Sequence, residues 1–171
     1  MNYDVWGSWS SGVGPNAPLD DTCAPDQVGS AVSGVKIWTA AGMPAHQIVL
    51  GVASYGHSFS VSPSAAFVGG SQTQLVAYPT FDASNQPHGD AWDDDGGVDV
   101  CGVYEGPGGD FDFWGLVAGG FLTAEGNPAP GIYYRYDDCS QTVSGLSIST
   151  LSFLLILRSY FSRTFITKPL R

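Results

Sequence analysis

Six consecutive apolar or small residues, Ile48-Val49-Leu50-Gly51-Val52-Ala53, constrain the fold of this chain more than any other feature. The run is too short for an ordinary helix and does not alternate, which predicts a strand buried on both faces of a parallel sheet. Parallel neighbours need a crossover, and the preceding residues supply one. Pro25 suits a first helical turn, Val28, Val32, Val35 and Trp38 or Thr39 recur at helical spacing, and Gly42 with Pro44 close the segment. Trp38 is expected in the core. Ahead of that helix, Met1-Asn2-Tyr3-Asp4-Val5-Trp6 alternates apolar and polar residues before breaking at Gly7, as a strand does. Strand, helix and strand make one βαβ unit, and such units carry their chemistry beyond the carboxyl ends of the strands.

Both strand ends are chemically loaded. The first delivers Tyr3, Asp4 and Trp6, a hydroxyl donor, a charged acceptor and a flat stacking face, a combination that suits carbohydrate. It opens into a Gly/Ser/Pro/Asp loop to Ala24, long enough for a functional connection. The second ends in Ser54-Tyr55-Gly56-His57-Ser58-Phe59. His46 and His88 stand in no comparable context.

From Ser60 to about Val143 the periodicity breaks into short segments between Gly, Pro, Asn and Asp, which reads as an α+β unit rather than further βαβ units. Phe111 to Val117 is its best helical or packed-aromatic candidate, and Ile132 to Tyr136 alternates like a strand. All sixteen acids precede Val143, against Lys36 and Arg135 alone. That charge disfavours nucleic acid and anionic membrane and is indifferent to neutral polysaccharide. Three cysteines without a CxxC pair or zinc-type histidine spacing argue against a metal site. Cys101 and Cys139 share the Gly-rich region that a staple would help most, so they are the expected disulfide, with Cys23 left over; three reduced thiols remain the alternative. No P-loop, dinucleotide fingerprint or nucleophile elbow is present, and no cofactor is expected.

Three ordered segments carry a resemblance. Met1-Asn2-Tyr3-Asp4 resembles the sixth-strand Met-x-Tyr-Asp motif of family 18 glycoside hydrolases, the chitinases. Tyr55-Gly56-His57-Ser58-Phe59 resembles their seventh-strand segment, with His57 where many members have arginine. Asp137-Asp138-Cys139-Ser140-Gln141-Thr142 resembles a stretch of fungal members. The resemblance implies a partial (β/α)8 barrel over residues 1–59, comprising strands six and seven, and an α+β chitinase insertion domain over 60–143. At 171 residues the chain is shorter than the roughly 250 of a complete barrel. Residues 144–171, apolar and then basic, resemble nothing in the family and read as a translated intron or frameshift, with a weak membrane anchor as the lesser reading. Their apolar stretch is short of the roughly 20 residues that span a bilayer.

Family 18 uses substrate-assisted catalysis, in which one carboxylic acid protonates the glycosidic oxygen and the sugar's acetamido oxygen attacks. By resemblance Tyr3 orients that acetamido group, Asp4 contacts the sugar and tunes the field, Met1 packs beneath the acidic cluster, and Trp6, Tyr55 and His57 line the cleft. The proton donor is missing. Asp90, Asp93 and Asp95 imitate the family's DxxDxDxE run, but Gly97 stands at the donor position, and this stretch reads as a solvated acidic turn. Glu105 lies in a glycine-rich loop without a partner carboxylate two residues earlier.

The reading is therefore a carboxyl-side piece of a secreted, monomeric chitinase acting on chitin or chitooligosaccharide. Alone, it is expected to be inactive and prone to aggregation through exposed strand edges. A non-catalytic chitin-binding lectin on the same scaffold and a misprocessed product without a ligand are the rivals. No signal peptide is visible.

Overall fold

The computed structural model describes residues 1–147 and the backbone of 152–156. Most of the expected tail, 148–151 and 157–171, lies outside the described residues. Strand β1 (Tyr55–Ser60) lies between β4 (Asp110–Asp112) and β7 (Ser152–Ile156) in a five-stranded antiparallel sheet completed by β6 (Thr142–Ser147) and β5 (Ile132–Asp137), ordered β4-β1-β7-β6-β5. Strand β6 runs through the point where composition changes after Val143. A short hairpin, β2 (Gly97–Val98) and β3 (Tyr104–Glu105), stands apart. Helices α1 (Ala31–Ala40), α2 (Pro63–Ala66) and α3 (Phe113–Ala118) complete the order.

The core belongs to the sheet. Phe59, Val61, Ala66, Leu75 and Leu146 close together with Val13, with Phe67, Phe81 and Tyr133 packed around them. Leu116, Phe121 and Leu122 form a second cluster with Phe111, Ile132 and Val143. The expected alternating strand at Ile132 is β5, and the Phe111 segment divides into the end of β4 and the start of α3.

The amino-terminal third differs from the expectation. Met1–Gly7 and Ile48–Ala53 carry no strand assignment, although the Asn2 amide donates to the Gly51 carbonyl at 3.3 Å and sets the two side by side. One bond makes no ladder. Nor is the second segment buried: Val49 is 92% exposed, and Leu50 and Val52 also face outward, because no described element packs over them. The helix starts at Ala31, not Pro25, because Gly29 turns the chain at φ 128° and Ser30 forms a reciprocal capping box with Ser33. Trp38, expected in the core, is 57% exposed, and Val28 and Val32 share its fate.

The expected Cys101–Cys139 bridge is also corrected. Cys139 pairs with Cys23 at a Cα separation of 6.4 Å, while Cys101 sits free and exposed near the β2–β3 hairpin. The β5–β6 turn docks on the loop after Pro18, where the Leu19 amide donates to the Ser140 carbonyl at 2.8 Å, and this delivers Cys139 to Cys23. Shared composition placed Cys101 near Cys139 in sequence region, but tertiary docking selects the partner.

Candidate carbohydrate site

The site grows from the first half of β1. Strand periodicity puts Tyr55 and His57 on one face, and the register sets Tyr55 opposite Asp112 and His57 opposite Asp110. Across from them Asp4 turns the opening segment at φ 56°, a left-handed conformation costing a non-glycine residue about 1–2 kcal/mol. The turn aims the Asp4 carboxylate at β1. It accepts the Tyr55 hydroxyl at 2.7 and 2.8 Å and faces His57 Nε2 at 3.0 Å. The other ring nitrogen, His57 Nδ1, lies 2.5 Å from Asp110 Oδ1.

Carboxylates only accept, so placing an imidazole between two of them favours the form with a hydrogen on each nitrogen. Burial pulls the His57 pKa down, but the hydrogen bond and charge of Asp110, then those of Asp4, outweigh it and raise the pKa above the ordinary value. The two acidic neighbours thus favour at His57 the positive charge that an arginine would carry. The Tyr55 hydroxyl is pushed far above the usual phenol range, first by burial and then by donation to Asp4 and the charges of Asp4 and Asp110. It remains a donor at any physiological pH. Tyr3 sets its ring edge-on to Tyr55 at 6.2 Å, over Gly51, where a side chain would crowd it.

Of the expected site residues, the fold gathers Tyr3, Asp4, Tyr55 and His57. Met1 and Trp6 are placed otherwise. Met1 is 94% exposed and packs beneath nothing. Trp6 is 2% exposed, tilted against Tyr78 and fitted over Gly14, whose missing Cβ leaves room for the indole; no face is offered to a sugar. The acidic run is solvated in part, with Asp94 and Asp95 exposed, and structural in part: Asp93 accepts the amides of Gly89, Gly109 and Asp110, and Asp90 those of Trp92 and Asp112. These bonds fix β4 and hence Asp110. Glu105 pairs with Gly97 in the short hairpin.

Two residues escaped the sequence reading. Asp110 follows Gly108-Gly109, a context without motif, and only the β1–β4 register reveals it. Asn16, 1% exposed, accepts the Asp4 amide at 2.8 Å and donates to the Tyr55 carbonyl at 3.2 Å. Its signal was a lone amide between Pro15 and Ala17-Pro18.

Comparison with known proteins shows the family. A chitinase-like effector of Moniliophthora roreri is 57% identical over 144 residues, 83% of this chain and 35% of that protein. The chain thus spans about a third of that relative's length. A chitinase from Rhizomucor miehei has a similar structure, with TM-score 0.71 and 28% identity, covering 91% of this chain and 40% of its own. A class V chitinase from Nicotiana tobaccum, solved in complex with NAG4, shares the fold at TM-score 0.55 and 17% identity, over 91% of this chain and 35% of its own. Residues 1–115 match the glycosyl hydrolases family 18, and the chain belongs to that family.

Proposed function

We propose that this chain supplies the acetamido-gripping half of a chitin- or chitooligosaccharide-binding site, the parent activity being retaining, substrate-assisted hydrolysis of β-1,4 N-acetylglucosamine linkages. The observation that carries the reading is the convergence of Tyr55 and His57 on Asp4 beside Tyr3. A hydroxyl donor, an acceptor held in one orientation and a half-buried imidazole with a raised pKa suit the neutral, hydroxyl-rich acetamido sugar. Tyr3 directs its hydroxyl to the acetamido carbonyl, while Asp4 and His57 hold the charge that develops on the ring.

In this reading Met1–Gly7 and Ile48–Ala53 are barrel strands six and seven, an adjacency supported by the Asn2–Gly51 bond. Residues 60–143 are the insertion that walls the cleft, 144–171 fall outside the family pattern, and secretion suits the Cys23–Cys139 bridge. This chain alone turns over no substrate, because DxxDxDxE is imitated only as far as Asp95 and Gly97 follows at the donor position.

A lectin-like role without hydrolysis is the second reading, favoured by a 57%-identical relative named a chitinase-like effector. Chitin-bead capture and a fluorogenic chitobioside test both. Capture that falls with Tyr3→Phe, without turnover, is the expected result; no capture sinks the sugar site, and turnover lost in Tyr3→Phe sinks the inactive-fragment reading.

A further inference from the structure

We propose that Asn16 is the positioning residue of this site, the single side chain that sets Asp4 and Tyr55 relative to each other. The inference rests on reading the Asp4 cluster as the sugar site. Asp4 reaches Tyr55 and His57 from a left-handed turn, which an aspartate tolerates as a single residue but which neighbouring contacts must fix in place. Asn16 supplies the constraint. Its side-chain oxygen takes the Asp4 amide and its backbone carbonyl takes the Val5 amide at 3.3 Å, so both peptide units around the turn are held by one residue. Its side-chain nitrogen then donates to the carbonyl of Tyr55, the first residue of β1.

One buried amide therefore ties the segment bearing the acceptor to the strand bearing both donors. Asparagine is suited to this because it accepts and donates at once, which neither aspartate nor a hydroxyl of shorter reach can do between the same two partners. The anchor is itself held. Pro15 and Pro18 are buried beside it, and the Pro18 carbonyl accepts the Asn2 side chain at 3.0 Å and the Ala31 amide at 3.0 Å, joining the support to the start of α1.

A residue that merely stabilised the fold would leave the surviving site unchanged; a positioning residue changes the site in molecules that remain folded. His57 reports the difference, since Asp4 is one of the two groups that raise its pKa. The experiment titrates the His57 ring by long-range proton–nitrogen NMR in the labelled full chain, in Asn16→Ala and in the core control Val13→Ala. Asn16→Ala is expected to lower the His57 pKa toward its ordinary value. Val13→Ala should retain the elevated pKa. If Asn16→Ala does not fold, Asn16→Ser, which spans one partner but not both, takes its place with the same expected shift. An unmoved His57 in the Ala or Ser variant, or an equal shift in Val13→Ala, overturns the proposal.

A parallel titration with chitotetraose separates this inference from the functional reading. Binding that weakens about tenfold or more in Asn16→Ala supports both. If the wild-type chain binds no chitotetraose while His57 still responds to Asn16→Ala, the positioning role stands and the sugar reading falls. Undiminished chitotetraose affinity in Asn16→Ala overturns the positioning role and leaves the sugar site intact.

Discussion

Residues 55–147 and residues 1–54 are both rich in apolar side chains, yet they use them in opposite ways. In the sheet, Phe59, Leu75, Leu116 and Leu146 disappear from solvent. Before it, Ile37, Trp38, Val49 and Val52 face outward although their spacing is that of interior positions. The first region closes two apolar clusters within this chain, whereas in the second Trp6, Val13, Ala31 and Ala53 are buried but α1 and Val49–Val52 are left facing outward. The candidate site lies on the seam, taking Tyr3, Asp4 and Asn16 from one side and Tyr55, His57 and Asp110 from the other.

The comparison breaks most visibly in the core. Phe59→Ala should cost about 3–5 kcal/mol, from lost burial plus the cavity left behind, read as a large fall in the denaturation midpoint. A cost below about 1 kcal/mol would mean that the sheet region is no better packed than the rest. Next comes the covalent tie between the regions. Cys23→Ser opens a bridge spanning 116 residues and should cost about 2–4 kcal/mol. Cys101→Ser, at a free and exposed thiol, should change nothing measurable.

The sequence exposed the local half of this architecture. Alternation at Ile132–Asp137 became β5, and the Gly42 and Pro44 signals do follow α1. The Tyr3-Asp4 and Tyr55-Gly56-His57 segments, 51 residues apart, meet as the family resemblance implies. What could not be read was anything set by docking. Cys139 reaches Cys23 because the β5–β6 turn lands on the Leu19 loop, and Asp110 reaches His57 because β4 takes a particular register. Neither pairing has a periodicity. The burial of Trp6 was missed for a related reason: its partner surface, Tyr78 and Gly14, is assembled from loops. Conversely, Trp38 and Val49 carry interior spacing, but spacing states a preference and burial requires a partner.

A smaller effect probes the seam through pH. His57 has a folded pKa above its unfolded value, so the folded chain binds the extra proton more tightly. Its contribution to stability is fully present below about pH 6.5, the unfolded reference, and is lost as pH rises through the raised folded value. Denaturation midpoints should therefore fall across that window in the native chain. His57→Gln should remove this part of the slope, and Asp110→Asn should move the window toward lower pH by deleting the largest raising influence. A slope unchanged in both variants would mean that the two carboxylates do not hold the ring charged.

The smallest expected change tests the outward-facing region itself. Trp38→Gln and Val49→Lys should each alter stability by no more than about 0.5 kcal/mol, because neither side chain leaves a cavity or a broken partner behind. Both should reduce self-association, since they interrupt exposed apolar surface. Light scattering against concentration, alongside the denaturation midpoint, measures the two effects separately. A cost of several kcal/mol for either substitution would place these residues in a packed interior after all, and the contrast between the two regions would collapse. Neutral stability with lower association would establish that the apolar spacing of α1 and of Ile48–Ala53 is a docking pattern without an occupant in the isolated chain.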